Sequence, residues 1–193
     1  VFNCGAPGLE NIDRLTLLEL EELEKILGIK FGDRNLLVTW HPVTLEPGTT
    51  TRSFQALLNA LDELSDTKVI FTKANADTGG RAINQMIDEY VAGRPDEAVS
   101  HMSLGQLHYL SVLKYVDGVV GNSSSGIIEA PSLHVGTVNI GSRQNGRVRA
   151  DSVIDCEATE SGIRDSLKTL FSNEFKAALP AVINPHNGGQ VGT

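Results

Sequence analysis

Two periodicities of apolar and polar residues alternate along this chain. Leu15–Leu27 (LTLLELEELEKIL) has apolar residues at helical spacing and glutamates on the opposite face, which predicts an amphipathic helix. Similar patterns predict further helices at Arg52–Leu64, Gly80–Val91, Leu104–Tyr115, Gly126–Leu133 and Ile163–Phe171. Short, nearly continuous apolar runs predict strands at Asn35–Trp40, Lys68–Phe71, Ala98–Met102, Gly118–Val120, Thr137–Ile140 and Ser152–Asp155.

The order of these segments indicates the fold class. Strands alternate with helices, and strands that are apolar on both faces are typical of a parallel sheet covered by helices on each side. We therefore expect an α/β fold with a parallel sheet of about six strands. The chain has 193 residues, without an internal repeat or an interdomain linker, which predicts a single domain over residues 1–193.

Composition and charge exclude several classes of protein. Hydrophobic residues make up 40% of the chain, which indicates a globular fold, and no apolar run approaches the length of a membrane span. The formal net charge of −8 argues against a nucleic-acid partner, which usually binds a basic face. Cys4 and Cys156 are too few for a disulfide framework and suggest a reducing, cytoplasmic compartment. The five histidines show no metal-ligand spacing.

The segment Asp117–Glu129 (DGVVGNSSSGIIE) carries the most specific chemistry. A buried strand ends at a turn of glycine and serine, where a helix is predicted to begin. Free N–H groups at such a helix start, with the hydroxyls of Ser123–Ser125, suit a phosphate group. A turn of this composition is also an ordinary way to redirect the chain and cap a helix.

Two further features favour an anion site. The loop Gly141–Arg147 (GSRQNGR) follows the next strand, and Arg143 or Arg147 can supply the counter-charge. Glu129 would repel phosphate but can accept hydrogen bonds from a ribose diol. Together these features predict a nucleotide-diphosphate site. The pattern is neither a P-loop nor a dinucleotide fingerprint, so neither an ATPase nor a dehydrogenase follows.

Polar residues also follow the other predicted strands. Because ligands of such sheets bind outside the carboxyl ends of the strands, we expect these residues to converge on one edge. They are His41, Lys73, Asn75, Asp77, His101, Gly121–Ser125 and Gly141–Arg143. Ordinary loop polarity can produce such a set as well.

Several of these segments resemble one enzyme family. They are His41–Thr44 (HPVT), Asn75–Gly79 (NADTG), His101, GNSSSGIIEA at 121–130 and NIGSRQNGR at 139–147. With Cys4–Ile12 (CGAPGLENI), they are similar to the hydrolysing UDP-N-acetylglucosamine 2-epimerases of sialic-acid and related polysaccharide pathways. The resemblance covers nearly the whole chain.

The resemblance implies a place within a larger protein. The family has two Rossmann-like domains that face each other across a cleft, the glycosyltransferase-B arrangement. This chain resembles the second of them, a three-layer UDP-binding domain, without the first domain or the closing C-terminal helices. The implied partners are UDP-N-acetylglucosamine or UDP, the first domain, and further copies in a homodimer or tetramer. No cofactor and no metal are implied.

The resemblance also implies roles for individual residues. His41 is expected to contact the pyrophosphate and to stabilise the departing UDP, which makes it the catalytic residue of this domain. The other substrate-binding residues are expected to be Asn75 near the sugar or phosphates, Ser100, His101 and Met102 at uracil through backbone groups, Ser123, Ser124 and Arg143 at the pyrophosphate, and Glu129 at the ribose.

The implied reaction removes the proton at C2, eliminates UDP to give a 2-acetamidoglucal, and adds water with inversion at C2. Its acid and base are expected in the first domain, since Asp77 lies in a sequence that is equally typical of a turn. The chain alone is predicted to bind UDP weakly and to catalyse nothing. Two alternatives stay open: the donor-nucleotide domain of a glycosyltransferase-B enzyme, and a non-catalytic phosphosugar-binding module.

Overall fold

The computed structural model describes residue 6 and residues 9–42, 49–74 and 78–187. Within these ranges the centre of the protein is a six-stranded sheet in which every neighbouring pair of strands is parallel. The strands are β1 Arg34–Thr39, β2 Thr67–Thr72, β3 Ala98–His101, β4 Gly118–Gly121, β5 Gly136–Ile140 and β6 Val153–Cys156. They lie in the order β3-β2-β1-β4-β5-β6, which confirms the predicted parallel α/β sheet of Rossmann-like topology.

Helices cover both faces of this sheet. In the described residues they are α1 Glu10–Arg14, α2 Leu20–Leu27, α3 Thr49–Asp62, α4 Thr78–Ala92, α5 Gly105–Leu113, α6 Ser125–Ile128, α7 Glu160–Leu170 and α8 Asn173–Ala178. Helices α3, α4 and α7 contribute to the core on one face, and α2 and α5 contribute to the core on the other. None of the helices within the described ranges is long and apolar enough to cross a membrane.

Strand β1 shows why the strands are apolar throughout. Leu36 and Val38 belong to the core beneath α3, α4 and α7, whereas Leu37 belongs to the core beneath α2 and α5. Each of the three side chains is at most 1% exposed. Because successive side chains of a strand point to opposite faces, a strand covered on both faces needs apolar residues at every position.

The predicted helix Leu15–Leu27 is wrong in its first part, because α2 begins only at Leu20. Glu19 has an extended backbone with ψ of 155°. The Leu18 N–H donates to the Ser111 hydroxyl at 3.0 Å, which ties this segment to α5. Leu15, Leu17 and Leu18 pack on the α2–α5 core without forming a helix, so their spacing reflects an extended segment that lies over α5.

The predicted helix Gly126–Leu133 is also wrong as one continuous helix. Helix α6 ends at Ile128, and a 3-10 turn takes up Ala130–Leu133. Pro131 has no N–H, and its ring clashes with the carbonyl of the preceding turn, so α-helical hydrogen bonding stops there. The periodicity predicts neither α1 nor α8.

The central strands β1 and β4 meet at the point where the strand order reverses. Their carboxyl ends are close, since Thr39 pairs with Gly121. A Cβ at Gly121 would lie 2.0 Å from the Thr39 carbonyl oxygen, and φ there is 137°, so this position requires glycine. His41 lies two residues after the end of β1, and Asn122 directly follows β4, which places the predicted phosphate turn at the crevice where ligands of such sheets bind.

Candidate functional site

An open cavity of about 380 Å³ lies at the carboxyl edge of the sheet. It is bordered by residues that follow β1, β2 and β3, by α5, and by the serine turn, which we define as residues 122–125. The predicted site residues His41, Met102, Ser123 and Glu129 all line it. Side chains far apart in the sequence are therefore brought together at one cavity.

The serine turn presents hydroxyl groups to this cavity, not the end of a long helix. Ser123 and Ser125 line the cavity, with their Oγ atoms 3.1 Å apart, and Ser124 directly precedes α6. Helix α6 has only four residues, so the helix dipole suggested by the sequence is small here. An anion at this turn depends mainly on hydroxyls, backbone N–H groups and nearby cations.

Arg143 is the guanidinium that reaches the serine turn. Its Nη1 donates to the main-chain oxygen of Asn122 at 3.1 Å, while the side chain stays exposed. Arg147 is exposed further along the loop, where its carbonyl accepts a hydrogen bond from Arg149 at 2.8 Å. Of the two candidate cations, Arg143 is the one placed beside the predicted phosphate residues.

His41 lies at the same edge, half-buried, two residues after the end of β1. Its burial, and then the nearby Arg143 guanidinium, lower the pKa of the imidazole below its ordinary value. The ring is therefore neutral near neutral pH and offers one N–H donor and one acceptor nitrogen. Such a group can donate a hydrogen bond to a phosphate oxygen.

Glu129 borders the cavity one turn after the serines. Its Oε2 is buried and has no hydrogen-bond partner among the described residues. Burial raises the pKa of this carboxyl above its ordinary value. A buried acceptor without a donor is unfavourable, so a hydroxyl-bearing ligand in the cavity would stabilise it. The geometry suits the predicted contact with a ribose diol.

Tyr109 is a cavity residue that the sequence pattern did not reveal. Its hydroxyl forms a hydrogen bond with Ser125 Oγ, and its burial raises the pKa of the phenol well above the ordinary value. The periodicity assigns Tyr109 to a helix and no more. Helix α5 follows β3 and so starts at the ligand edge of the sheet, and its first turns face the cavity. The position of Tyr109 early in this helix is the feature of the sequence from which its place at the cavity could have been predicted.

The three residues predicted to face uracil differ in position. Met102 borders the cavity and is 63% exposed. His101 turns its Nε2 to the Leu27 carbonyl at 3.2 Å, and its own carbonyl accepts the Lys73 N–H at 2.9 Å. Ser100 is half-buried within β3. A base at this end would meet Met102 first.

Two predicted rim residues, Asn75 and Asp77, lie outside the described residues. Strand β2, which precedes them, ends at the cavity, because Thr72 and Lys73 line it. Lys73 also forms an ion pair with Asp88, with 2.5 Å between Nζ and Oδ1. The contact of Asn75 with the sugar or phosphates stays a prediction.

Comparison with known proteins decides the family. A family model described as UDP-N-acetylglucosamine 2-epimerase matches residues 1–192. The chain belongs to the UDP-N-acetylglucosamine 2-epimerase family. Membership of the 2-epimerase family confirms the resemblance seen in the serine turn and the loop Gly141–Arg147.

Individual members of the 2-epimerase family match over about half their length. The chain is 38% identical over 176 residues to the GDP/UDP-N,N'-diacetylbacillosamine 2-epimerase (hydrolyzing) of Campylobacter jejuni, covering 91% of this chain and 45% of the relative. It is 36% identical over 190 residues to polysialic acid biosynthesis protein P7 of Escherichia coli, covering 96% and 47%. The co-structure of S. aureus MnaA with UDP shares the fold, with a TM-score of 0.73 at 14% identity over 96% of this chain and 49% of that one.

Proposed function

We propose that this chain is the UDP-binding, C-terminal half of a hydrolysing UDP-N-acetylglucosamine 2-epimerase. The observation that carries the proposal is the convergence of His41, Ser123 and Glu129 on one cavity, with Arg143 beside them. Diphosphate chemistry needs the hydroxyls and the cation, and a ribose needs the carboxylate. The names of the relatives support the same activity, and the S. aureus neighbour was solved with UDP.

The ligand is proposed to lie along the cavity in one direction. Its diphosphate contacts Ser123, Ser124 and Arg143, and its ribose hydroxyls donate to Glu129, whose Oε2 has no partner in the described structure. The uracil lies towards Met102, with backbone groups at Ser100 and His101 behind it. Asn75 is proposed to approach the sugar or phosphates from the end of β2.

The proposed reaction has two stages. A base removes the proton at C2, the bond between C1 and the diphosphate oxygen breaks, and the electron pair leaves with UDP, giving a 2-acetamidoglucal. Water then adds its hydroxyl to C1 and a proton to C2 from the opposite face, which yields N-acetylmannosamine. His41, held neutral by its lowered pKa, donates a hydrogen bond to the diphosphate as negative charge develops there.

The proton transfers at C2 are proposed to belong to the other half of the enzyme. The chain spans about half the length of the relatives it matches, at 45% and 47%. We propose that a first Rossmann-like domain faces this one across a cleft and supplies the acid and base, and that the whole enzyme assembles as a homodimer or tetramer. A role in sialic-acid or related polysaccharide synthesis is part of the same proposal, and the E. coli relative's name supports it. A cytoplasmic location is proposed with it.

Calorimetric titration of the 193-residue chain tests the site. UDP should bind, and N-acetylglucosamine 1-phosphate, which lacks the nucleoside, should not compete with it. Binding of the phosphosugar with no response to UDP would replace this proposal with a phosphosugar-binding module. In the longer enzyme, UDP-N-acetylglucosamine without an acceptor sugar should release N-acetylmannosamine, and the isolated chain should release none.

A further inference from the structure

Asn122 is the buried residue at the centre of the proposed diphosphate end. It follows β4 directly, is 1% exposed, and its N–H donates to the Thr39 carbonyl at 3.2 Å. Its carboxamide pairs with the backbone of His41 in both directions. The His41 N–H donates to Oδ1 at 2.7 Å, and Nδ2 donates to the His41 carbonyl at 2.8 Å.

The main-chain carbonyl of Asn122 makes a second set of contacts. It accepts from Arg143 Nη1 at 3.1 Å and from Gln144 Nε2 at 2.8 Å. Asn122, in the serine turn after β4, therefore contacts both His41, near the end of β1, and the loop after β5. Ser123 is its immediate neighbour in the chain, so its placement also depends on this residue.

The side-chain chemistry required here is narrow. Pairing with an N–H and a C=O of the same residue takes one acceptor and one donor at fixed separation, which a carboxamide provides. A carboxylate accepts but does not donate, and alanine does neither. Because the site is buried, loss of the pair leaves two backbone groups of His41 without partners.

We propose that Asn122 is a positioning residue that sets the spacing of His41, Ser123 and Arg143 and thereby selects a nucleoside diphosphate over a monophosphate. The inference rests on the proposed function and extends it, because Asn122 itself carries no charge and acts through the groups it holds. A second phosphate gains affinity only when the histidine, the serines and the guanidinium are held at the correct mutual distances.

The test compares UDP with UMP on the whole chain. In Asn122→Ala, we expect the affinity for UDP to fall about tenfold and that for UMP to change by less than about threefold, measured by calorimetry. Asn139→Ala is the matched control. Asn139 is also 1% exposed, in the neighbouring strand β5, and its Nδ2 donates to Asp155 Oδ1 at 2.6 Å, a contact that does not involve His41. It should lower the melting temperature and leave the UDP-to-UMP ratio unchanged.

A second variant keeps the inference testable if Asn122→Ala does not fold. Gln144→Leu retains the side-chain volume but removes one donor to the Asn122 carbonyl. This variant should lower the affinity for UDP about two- to fivefold and leave the affinity for UMP unchanged. In this variant the backbone N–H resonance of His41 should also shift, as a direct report on the Asn122 contact.

The outcomes separate this inference from the proposed function. A wild-type chain that does not bind UDP would overturn both. The positioning role is overturned, and the proposed function stands, if the folded Asn122 or Gln144 variants bind UDP as well as wild type does. The same holds if their affinities for UDP and for UMP fall by the same factor.

Discussion

The hydroxyls of Tyr109 and Ser125 form a hydrogen bond that joins helix α5 to the serine turn. Ser125 Oγ lies 3.1 Å from Ser123 Oγ, so a row of three hydroxyls runs from Tyr109 through Ser125 to Ser123 along the cavity. Ser125 thus links the Ser123 hydroxyl to Tyr109. The conformation of the serine turn therefore depends on α5, a helix that precedes it in the sequence and is separated from it by β4.

Tyr109→Phe should therefore reduce UDP affinity by about threefold and stability by about 1 kcal/mol. The phenyl ring keeps its packing, and only the hydroxyl that holds Ser125 is lost. Calorimetric titration and thermal unfolding measure the two effects. Tyr115→Phe is the matched control, since the Tyr115 hydroxyl donates to the Leu18 carbonyl at 3.2 Å outside the cavity. If both variants lower stability and neither changes UDP binding, Tyr109 has only a structural role.

Glu129→Gln should stabilise the ligand-free protein above the acid range. In the unfolded chain the carboxyl titrates near its ordinary pKa of 4.5, and burial raises that pKa in the fold. As pH rises through 4.5, the unfolded state loses its proton first, so the wild-type protein loses stability until the folded carboxyl also ionises. The glutamine has no such loss. Denaturant unfolding at a series of pH values should show the variant gaining on wild type from this range upwards and the two converging below it.

Glu129→Gln should also lower the affinity for UDP about tenfold, because the amide offers one acceptor oxygen where the ribose diol needs two. The exposed Glu157→Gln serves as control and should change neither stability nor binding. Equal UDP affinity in Glu129→Gln and wild type would remove Glu129 from the ribose contact.

Arg143→Gln should raise the pKa of His41 towards its ordinary value, because the guanidinium is one of the two causes that lower it. Burial, the larger cause, persists, so the shift is partial. UDP affinity should fall by about tenfold or more through loss of a charge-assisted contact. Imidazole resonances followed by NMR across pH report the first effect, and calorimetry reports the second. Arg147→Gln, in the same loop, should leave both unchanged; the reverse pattern would assign the phosphate contact to Arg147.

Gly121→Ala should destabilise the protein by roughly 3 kcal/mol or prevent folding. The added Cβ would lie 2.0 Å from the Thr39 carbonyl oxygen, so β1 and β4 would have to separate. Gly146→Ala also has positive φ, 83°, but open space around its Cβ, and should lose only about 1 kcal/mol. Chemical denaturation compares the two, and equal losses would mean that backbone strain alone governs Gly121.

The sheet was predictable because strands that are buried on both faces consist almost entirely of apolar residues. Leu36–Val38 and Val119–Val120 are apolar at every position, as parallel strands between two helical layers require. Helix boundaries were less predictable, because apolar spacing records burial and does not record backbone conformation. The segment at Leu15 buries the same side chains while extended.

The site was predictable where it follows a strand and hidden where it does not. His41, Ser123 and Arg143 come directly after strands or in strand-end turns, so topology alone brings them to one edge. Tyr109 lies inside a helix, and no local pattern distinguishes it from a core residue. Asn122 was part of the quoted motif, but its contacts with His41 span 81 positions of sequence and depend on the sheet order.

The decisive experiment for the proposed UDP site is a crystal structure of this chain with UDP. We expect the diphosphate between the Ser123–Ser124 hydroxyls and the Arg143 guanidinium, with both ribose hydroxyls within hydrogen-bond distance of Glu129. UDP bound elsewhere on the surface, or in this cavity with its phosphates directed away from Arg143, would show that the site is wrongly assigned.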